Sequence, residues 1–427
     1  MRSNCFRRGR CVGPALLVAL LPALAGAQQI ERVTFEEAVR RAIENHPTVQ
    51  QAAAGVLRAE ALLQQTRSRS RPSADATISA SVAGPVPEFE GTSITPWGQT
   101  LTTAGLTVPV YTPVNWAARH QAADQVLASQ AVQADARRAI ALQTGRTYLA
   151  VIAQRRVLES NERARDNARE HYDYADRRLQ GGLGSRLNAL RAQQELSGDE
   201  ARVEDARMAL RRAQEALGVL VAVDHPVDAS AEPVFTLPAA ATPDLELVRG
   251  RADVLAIAAR ETAAIRVLND SSKSYLPTAT ARIAPQLLAP SGLFANSRSW
   301  SGSLQVSLPL FDGGQRRGEA RERQALLNLV RAERAGAERL AVSEIRTARE
   351  AIQAGERALA HARAAASQSA EVLRITDAAF REGATTNIEV IDAQRRARDA
   401  ETAAAVAEDT LRQAQLELLG AIGRFGQ

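Results

Sequence analysis

The chain has 427 residues, 45% of them apolar and 24% charged, which excludes wholesale disorder. Aromatics are only 4%, so the sequence favours helices with small side chains at their contacts over a core of large rings. The formal charge of +5 falls to +1 without residues 1–27, which carry four arginines and no acid, and a nucleic-acid partner loses its basis.

Residues 1–27 read as a signal peptide. Arg2, Arg7, Arg8 and Arg10 form a positive leader, Ala15 to Leu24 an apolar run too short to span a bilayer, and Ala25-Gly26-Ala27 a small-residue cleavage site that leaves Gln28 first. Both cysteines, Cys5 and Cys11, fall in this segment, which removes disulfide, zinc-cluster and thiol readings from the remainder. Cys11 precedes the apolar run, so it is not placed to carry a lipid. No later segment is apolar for about 18 residues, so no membrane helix is expected.

Beyond the leader the chain repeats itself. Residues 45–72 align without gaps to 250–277, Val108-Pro109-Val110-Tyr111 to Leu308-Pro309-Leu310-Phe311, and 179–193 to 380–394. The order is kept and the spacing nearly so, which indicates a tandem duplication of about 200 residues. Repeat 1 is expected over 28–223 and repeat 2 over 244–427, joined by a linker at 224–243.

Each repeat opens with a predicted helix, Thr34 to about Arg67 and Pro243 to about Asp270. Thr34 and Glu37 have capping-box spacing. Two strands follow, within about 72–111 and 277–311. Ile78, Ala80 and Val82 alternate with Ser79 and Ser81. Leu304, Val306 and Leu308 alternate with Gln305 and Ser307. Half of the sixteen aromatics lie in 70–116 and 274–311, and Trp97, Tyr111, Tyr275, Trp300 and Phe311 suit girdles at membrane interfaces. A soluble sandwich shows the same alternation.

Each repeat closes with a long hairpin, at 114–222 and 314–423. No proline occurs between Pro113 and Pro226 or after Pro309, so Asn115–Gln180 and Gln315–Glu382 can each run as one helix of about 100 Å. Ile345, Ile352, Leu359, Ala366, Leu373 and Phe380 recur every seven residues, with small residues three positions on, a seam for close helix packing. Leu196, Val203, Leu210 and Leu217 repeat likewise, as do Val390, Ala397, Ala404, Leu411 and Leu418. Gly182 and Gly383 end the long helices, and a heptad-bearing helix restarts after each.

Lipid-facing strands must hide every edge, which only a closed barrel does. Four strands per chain are too few, because bilayer barrels start at about eight. Several copies must therefore share one barrel, and the helices must continue it as a tube.

With these features the chain resembles the TolC family of outer-membrane efflux proteins over residues 30–423. The resemblance rests on the doubled organisation, the opening TFEEAVRRAIENHP at 34–47, the junction Leu308-Pro309-Leu310-Phe311-Asp312-Gly313-Gly314 and the glycine hairpin tips. It implies an α+β membrane protein: a homotrimer with a twelve-stranded transmembrane β-barrel in the outer membrane, continued by a periplasmic α-helical, coiled-coil barrel. It further implies a periplasmic adaptor docked on the tips Gly182-Leu183-Gly184-Ser185 and Gly383-Ala384-Thr385-Thr386, with an inner-membrane pump below.

Glu389 and Asp392 lie at i and i+3 on one helix face. The resemblance places them in the periplasmic constriction, where three copies would bring six carboxylates together and favour cations. Glu389 also stands three residues after Thr386, as in a capping box. The tip links of the family correspond to Asn188 and Thr385, which form no charged pair, and Arg186, Arg191 and Arg381 are the charged residues at hand.

The five histidines, His46, His120, His171, His225 and His361, lack ligand spacing, and no catalytic or nucleotide-binding motif sits at a strand-to-helix turn. No cofactor, metal or enzymatic activity is expected. The reading is a passive exit duct of a tripartite efflux or type I secretion machine; the alternative is a periplasmic coiled-coil scaffold without a pore.

Overall fold

A computed structural model describes residues 30–237 and 244–425. The signal peptide expected over 1–27 and positions 238–243 of the expected linker lie outside the described residues.

The first repeat begins with a short strand β1 (Glu31–Val33) and two helices, α1 (Phe35–Asn45) and α2 (Pro47–Ser68). One continuous helix was expected here. Pro47 ends it, because proline has no N–H to donate and holds the preceding residue extended. His46 accordingly has ψ 132°. Its Nδ1 accepts from the Thr48 N–H at 3.2 Å and so caps the next helix. The Thr34 hydroxyl accepts from the Glu37 N–H at 3.3 Å, as the spacing predicts. The other half of the capping box does not form, because the Glu37 carboxylate turns to Arg40 and Arg41.

Strand β2 (Ser73–Val82), a small hairpin of β3 (Glu88–Phe89) and β4 (Thr92–Ser93), and strand β5 (Gly98–Tyr111) follow. The hairpin of α3 (Pro113–Gln180) and α4 (Arg186–Val221) completes the repeat. Strand β6 (Val227–Ala229) then pairs in parallel with β1.

The second repeat holds α5 (Asp244–Arg249), α6 (Ala252–Asn269), a 3-10 turn at Asp270–Tyr275, β7 (Thr278–Ala289), β8 (Arg298–Ser307), α7 (Gln315–Arg381) and α8 (Asn387–Ala421). Its opening helix is again broken, at Gly250-Arg251. The buried Arg251 guanidinium fixes the break by binding Glu344 and Asp253 at 2.7 Å each and the Ala421 carbonyl at 3.1 Å. β8 stops at Ser307, so Leu308–Phe311 lie beyond the ladder although their counterparts Val108–Tyr111 end β5.

α3 and α7 contain 68 and 67 residues, hence about 100 Å each. The predicted seam is buried at Ile345, Ile352 and Leu359, and Leu411 of α8 packs on Gly355. Ala366 and Leu373 are half-buried, and Phe380 packs instead on His171 and Tyr174 of α3. One core gathers where the short strands meet the hairpins. There the Phe35 ring meets Tyr148, Phe235 and Phe425 edge-on at 5.4–5.9 Å. The Tyr148 hydroxyl lies 2.8 Å from the Ala231 carbonyl and ties the linker to α3. A second core joins Val248 and Val254 to Ile345, Ile352 and Leu418. No described helix is long and apolar enough to cross a membrane.

Candidate functional site

The four long strands form one antiparallel sheet in the order β2-β5-β7-β8. Its register puts Leu106 beside Ala74 and Ile283, and Ile283 beside Gly302. Partners in register share a face, and every second residue returns to it. One face therefore carries Ile78, Val82, Leu106, Ile283, Leu287, Trp300, Leu304 and Val306, all of them exposed. The opposite face carries Thr77, Ser79, Thr103, Gln286, Ser301, Ser303 and Gln305. A soluble sandwich would cover the apolar face with a second layer. Among the described residues nothing covers it.

The polar face also holds an ion pair. Arg282 of β7 reaches across β5 to Asp75 of β2 at 2.9 Å and donates to the Thr107 hydroxyl at 3.1 Å. The guanidinium lies over Gly105, where any β-carbon would collide with it.

The five aromatics singled out from the sequence fall at the two ends of the sheet. Trp97 precedes β5 and Trp300 lies near the start of β8, at the end remote from the helices. Tyr111, Tyr275 and Phe311 lie at the helix end. Tyr111 packs edge-on against Trp116 at 5.3 Å, and Arg316 sits 4.9 Å over the Tyr275 ring. Phe311 is almost wholly exposed.

At the opposite end of the long helices, Gly182 and Gly383 adopt the left-handed φ of 73° and 78°. The next N–H groups, those of Leu183 and Ala384, bond back to Arg178 and Ala379. This is the glycine cap expected of both helices. The Ser185 hydroxyl caps α4 by accepting from the Leu187 N–H at 3.2 Å. Thr386 makes no such bond, so the capping-box reading of Glu389 is not realised. Leu183 is exposed, while Gly184 is pressed against the α3 backbone at Leu179. Ala384 is exposed and Thr385 half-buried.

Glu389 and Asp392 share an exposed face of α8. Asp392 pairs with Arg396 at 3.0 Å, which sequence spacing could have shown (i, i+4). Glu389 has no ion-pair partner among the described residues.

Contacts between the two hairpins were not legible in the sequence. Down the line where α3 meets α8, Arg156 binds Glu408, Arg163 binds Glu401, Ser160 donates to Glu401 at 3.2 Å, and Gln394 donates to the Asn167 carbonyl at 3.4 Å. At the lowest point the His171 Nε2 is 2.6 Å from Asn387 Oδ1, and Asn387 Nδ2 donates to the Asn188 carbonyl at 3.3 Å. Arg381, a candidate for the tip link, instead pairs with Asp377 on its own helix at 2.7 Å.

A buried cluster joins α4 to α8. Arg398 reaches Asp199 at 2.6 Å and Glu195 at 3.3 Å, and Arg395 reaches Glu195 at 2.6 Å. Burial alone would raise the Glu195 pKa, but hydrogen bonds and charge from Arg395 and Arg398 hold it below the ordinary carboxylate value. No group of three or more potential metal ligands occurs among the described residues.

Comparison with known proteins agrees with this geometry. The family model described as outer membrane efflux protein matches residues 38–222 and 251–424. The outer membrane protein OprJ of Pseudomonas aeruginosa is 28% identical over 289 residues, 64% of this chain. That match spans 59% of OprJ, less than two thirds of its length. Among solved structures, VceC of Vibrio cholerae superposes with a TM-score of 0.79 at 19% identity, covering 92% of this chain and 97% of its own. The CmeC outer membrane channel of Campylobacter jejuni does so with a TM-score of 0.80 at 16% identity, covering 92% and 86%. The chain is an outer-membrane protein of the outer membrane efflux protein family and has the TolC-like fold.

Proposed function

We propose that the protein is the outer-membrane exit duct of a tripartite efflux or type I secretion system and that it exports small molecules, ions or polypeptides passively. The observation that carries this reading is the sheet: one face apolar, the other polar, with β2 and β8 as its outer strands. A four-stranded sheet of this kind is stable in a bilayer only when its edges are paired. Three copies pair β8 of each with β2 of the next and close twelve strands. The apolar faces then meet lipid, and the polar faces, with Asp75 and Arg282, line the water path. β2 and β8 have ten residues each, the length a tilted strand needs to cross a bilayer. Trp97 and Trp300 then mark one membrane interface, and Tyr111, Tyr275 and Phe311 the other.

The hairpins leave the barrel at one end, so their tips are the surface farthest from the outer membrane. We assign Gly182–Ser185 and Gly383–Thr386 to contact with a periplasmic adaptor, with an inner-membrane pump supplying the energy. Glu389 and Asp392 face the narrow end of the tube. Arg396 offsets Asp392 there, so Glu389 is the dominant acid.

Two measurements test the reading. The mature protein should need detergent for extraction and run as a heat-modifiable trimer. In planar bilayers it should conduct, and Glu389→Ala with Asp392→Ala should lower its cation preference. A mature product that is monomeric in buffer without detergent would refute the barrel. An unchanged selectivity ratio in the double variant would refute the role of the acids.

A further inference from the structure

The contact of His171 with Asn387 joins the two hairpins where they reverse, and its chemistry is directional. Asn387 uses its amide nitrogen on the Asn188 carbonyl, so its oxygen faces His171 Nε2 at 2.6 Å. An amide oxygen accepts only, which makes Nε2 the donor and leaves Nδ1 unprotonated in the neutral ring. Nδ1 is buried and has no hydrogen-bond partner among the described residues. The His171 residue is 4% exposed, and its ring centroid lies 5.2 Å from that of Phe380.

We propose that His171 is a proton-operated latch: neutral, it holds the start of α8 against α3 and α4, and on protonation it releases that contact. A second N–H would form at Nδ1, where no acceptor stands, and the charged ring would have to leave its burial to be solvated.

The groups around it do not compensate. On α7, Asp377 favours the charged ring and Arg381 opposes it, and the two are paired with each other. Arg374 is engaged with Glu371. From α4 and α8 the facing polar groups are Asn188, Asn387 and Gln394, all neutral. On α3 itself Glu170 lines the cavity beside the ring, while Tyr174 packs on Phe380. That cavity, of about 180 Å³, is lined by His171 with Glu170, Arg374, Asp377, Arg381 and Gln394, so the released ring has space to move into.

Burial lowers the His171 pKa from its ordinary 6.5, the Asn387 bond only partly opposing it. The latch is therefore at full strength above pH 6.5 and weakens as pH falls below that value. If only the released ring takes the proton, one pH unit below 6.5 favours release about tenfold.

Hydrogen–deuterium exchange of the full trimer in detergent tests this without requiring conduction, so it stands apart from the duct reading. Opening of residues 387–391, corrected for intrinsic rates, should rise about tenfold from pH 7.5 to 5.5. His171→Gln keeps a donor for Asn387 and does not titrate, so its opening should stay flat. Asn387→Asp supplies a carboxylate to the protonated ring and should reverse the trend, with greater protection at pH 5.5. A wild-type profile as flat as that of His171→Gln would overturn the latch. So would an Asn387→Asp variant that opens with acid as the wild type does, even if His171→Gln fails to assemble.

Discussion

Arg398 sits under α4 with two carboxylates, Glu195 and Asp199, and all three side chains are less than 10% exposed. Replacing it by methionine keeps much of the volume but strands both acids. Breaking a buried pair from one side costs ~3–5 kcal/mol. Here Glu195 retains Arg395 at 2.6 Å and Asp199 retains Arg202 at 2.7 Å, so a loss of ~2–3 kcal/mol is expected. The pH dependence carries the sharper test. In the wild type Glu195 has a lowered pKa. Its contribution is present above the ordinary value of 4.5 and is lost as pH falls through the lowered one. Without Arg398, burial has less opposition and the pKa of Glu195 rises. Acidification from pH 7 towards pH 4 should then narrow the gap between Arg398→Met and the wild type. Adding Glu195→Gln and Asp199→Asn to Arg398→Met removes the stranded charges and should recover most of the loss at pH 7. The assay is the melting of the helical circular dichroism of the detergent-solubilised protein, with exchange of α4 and α8 as the local readout. A triple variant as unstable as the single one, or a gap that ignores pH, would refute the electrostatic account.

Asp409 is the opposite case. Burial outweighs Arg412 and Arg156 and pushes its pKa up to about 6, although Gln413 donates to it at 2.6 Å. A raised carboxylate pKa means that stability is lost as pH rises from 3.8 through 6. That rise corresponds to ~3 kcal/mol, which partial exposure reduces to ~1–2 kcal/mol. Asp409→Asn should therefore raise thermal stability at pH 8 and leave it unchanged near pH 4, and a pH-independent effect would count against burial as the cause. Arg282→Ser removes a cation from the polar face of the sheet and frees Asp75. Single-channel recordings should show a shift towards cations without loss of the trimer; a shift towards anions would contradict the assignment of that face to the lumen. Ala384→Trp enlarges an exposed tip residue without touching the left-handed Gly383. Export in a complementation assay should fall at least tenfold while the protein still reaches the outer membrane, and normal export would argue against contact at this tip.

The parts of the fold that follow a period were legible. The seven-residue recurrence marks the α7 seam from Ile345 to Leu359, and the two-residue alternation around Leu304 and Val306 marks the exposed face of β8. Gly182 and Gly383 marked the reversals because only a glycine takes their φ without strain. Breaks that depend on a single residue were harder to see. Pro47 falls within the helix predicted from Thr34 to about Arg67, although its ring forbids the bond that would continue it. β1 and β6 have three residues each, too few to show alternation. His171, Asn387 and Asn188 are brought together across up to 216 residues by the two hairpins, and no spacing rule spans that distance. Asp199 and Glu195 read as ordinary acids of a solvated helix face until α8 covers them.

The two kinds of helix contact differ in a way that bears on movement. Within each hairpin the seam is apolar: Ile345, Ile352 and Leu359 lie buried, as do Leu196, Val203 and Leu217 of α4. Between the hairpins the contacts of α3 with α8 running towards the tip are polar, with Arg156, Ser160, Arg163, Asn167 and His171 set against Glu408, Glu401, Gln394 and Asn387. Phe380 of α7 adds one aromatic contact to His171 and Tyr174. Separating an interdigitated apolar seam leaves voids, at ~2–5 kcal/mol for each large side chain unpacked. Separating the exposed Arg163–Glu401 pair costs ~0–1 kcal/mol, because water replaces the partner. Opening the buried Arg398 cluster adds ~3–5 kcal/mol, still less than unpacking a seam of several large side chains. Rearrangement at the tips should therefore occur by displacement of one hairpin against the other, each hairpin staying intact. A cysteine pair bridging α7 to α8 within the second hairpin should leave conductance unchanged, whereas one bridging α3 to α8 near His171 should reduce it to a fixed low level that a reductant restores. Equal inhibition by both cross-links would mean that the hairpins themselves deform.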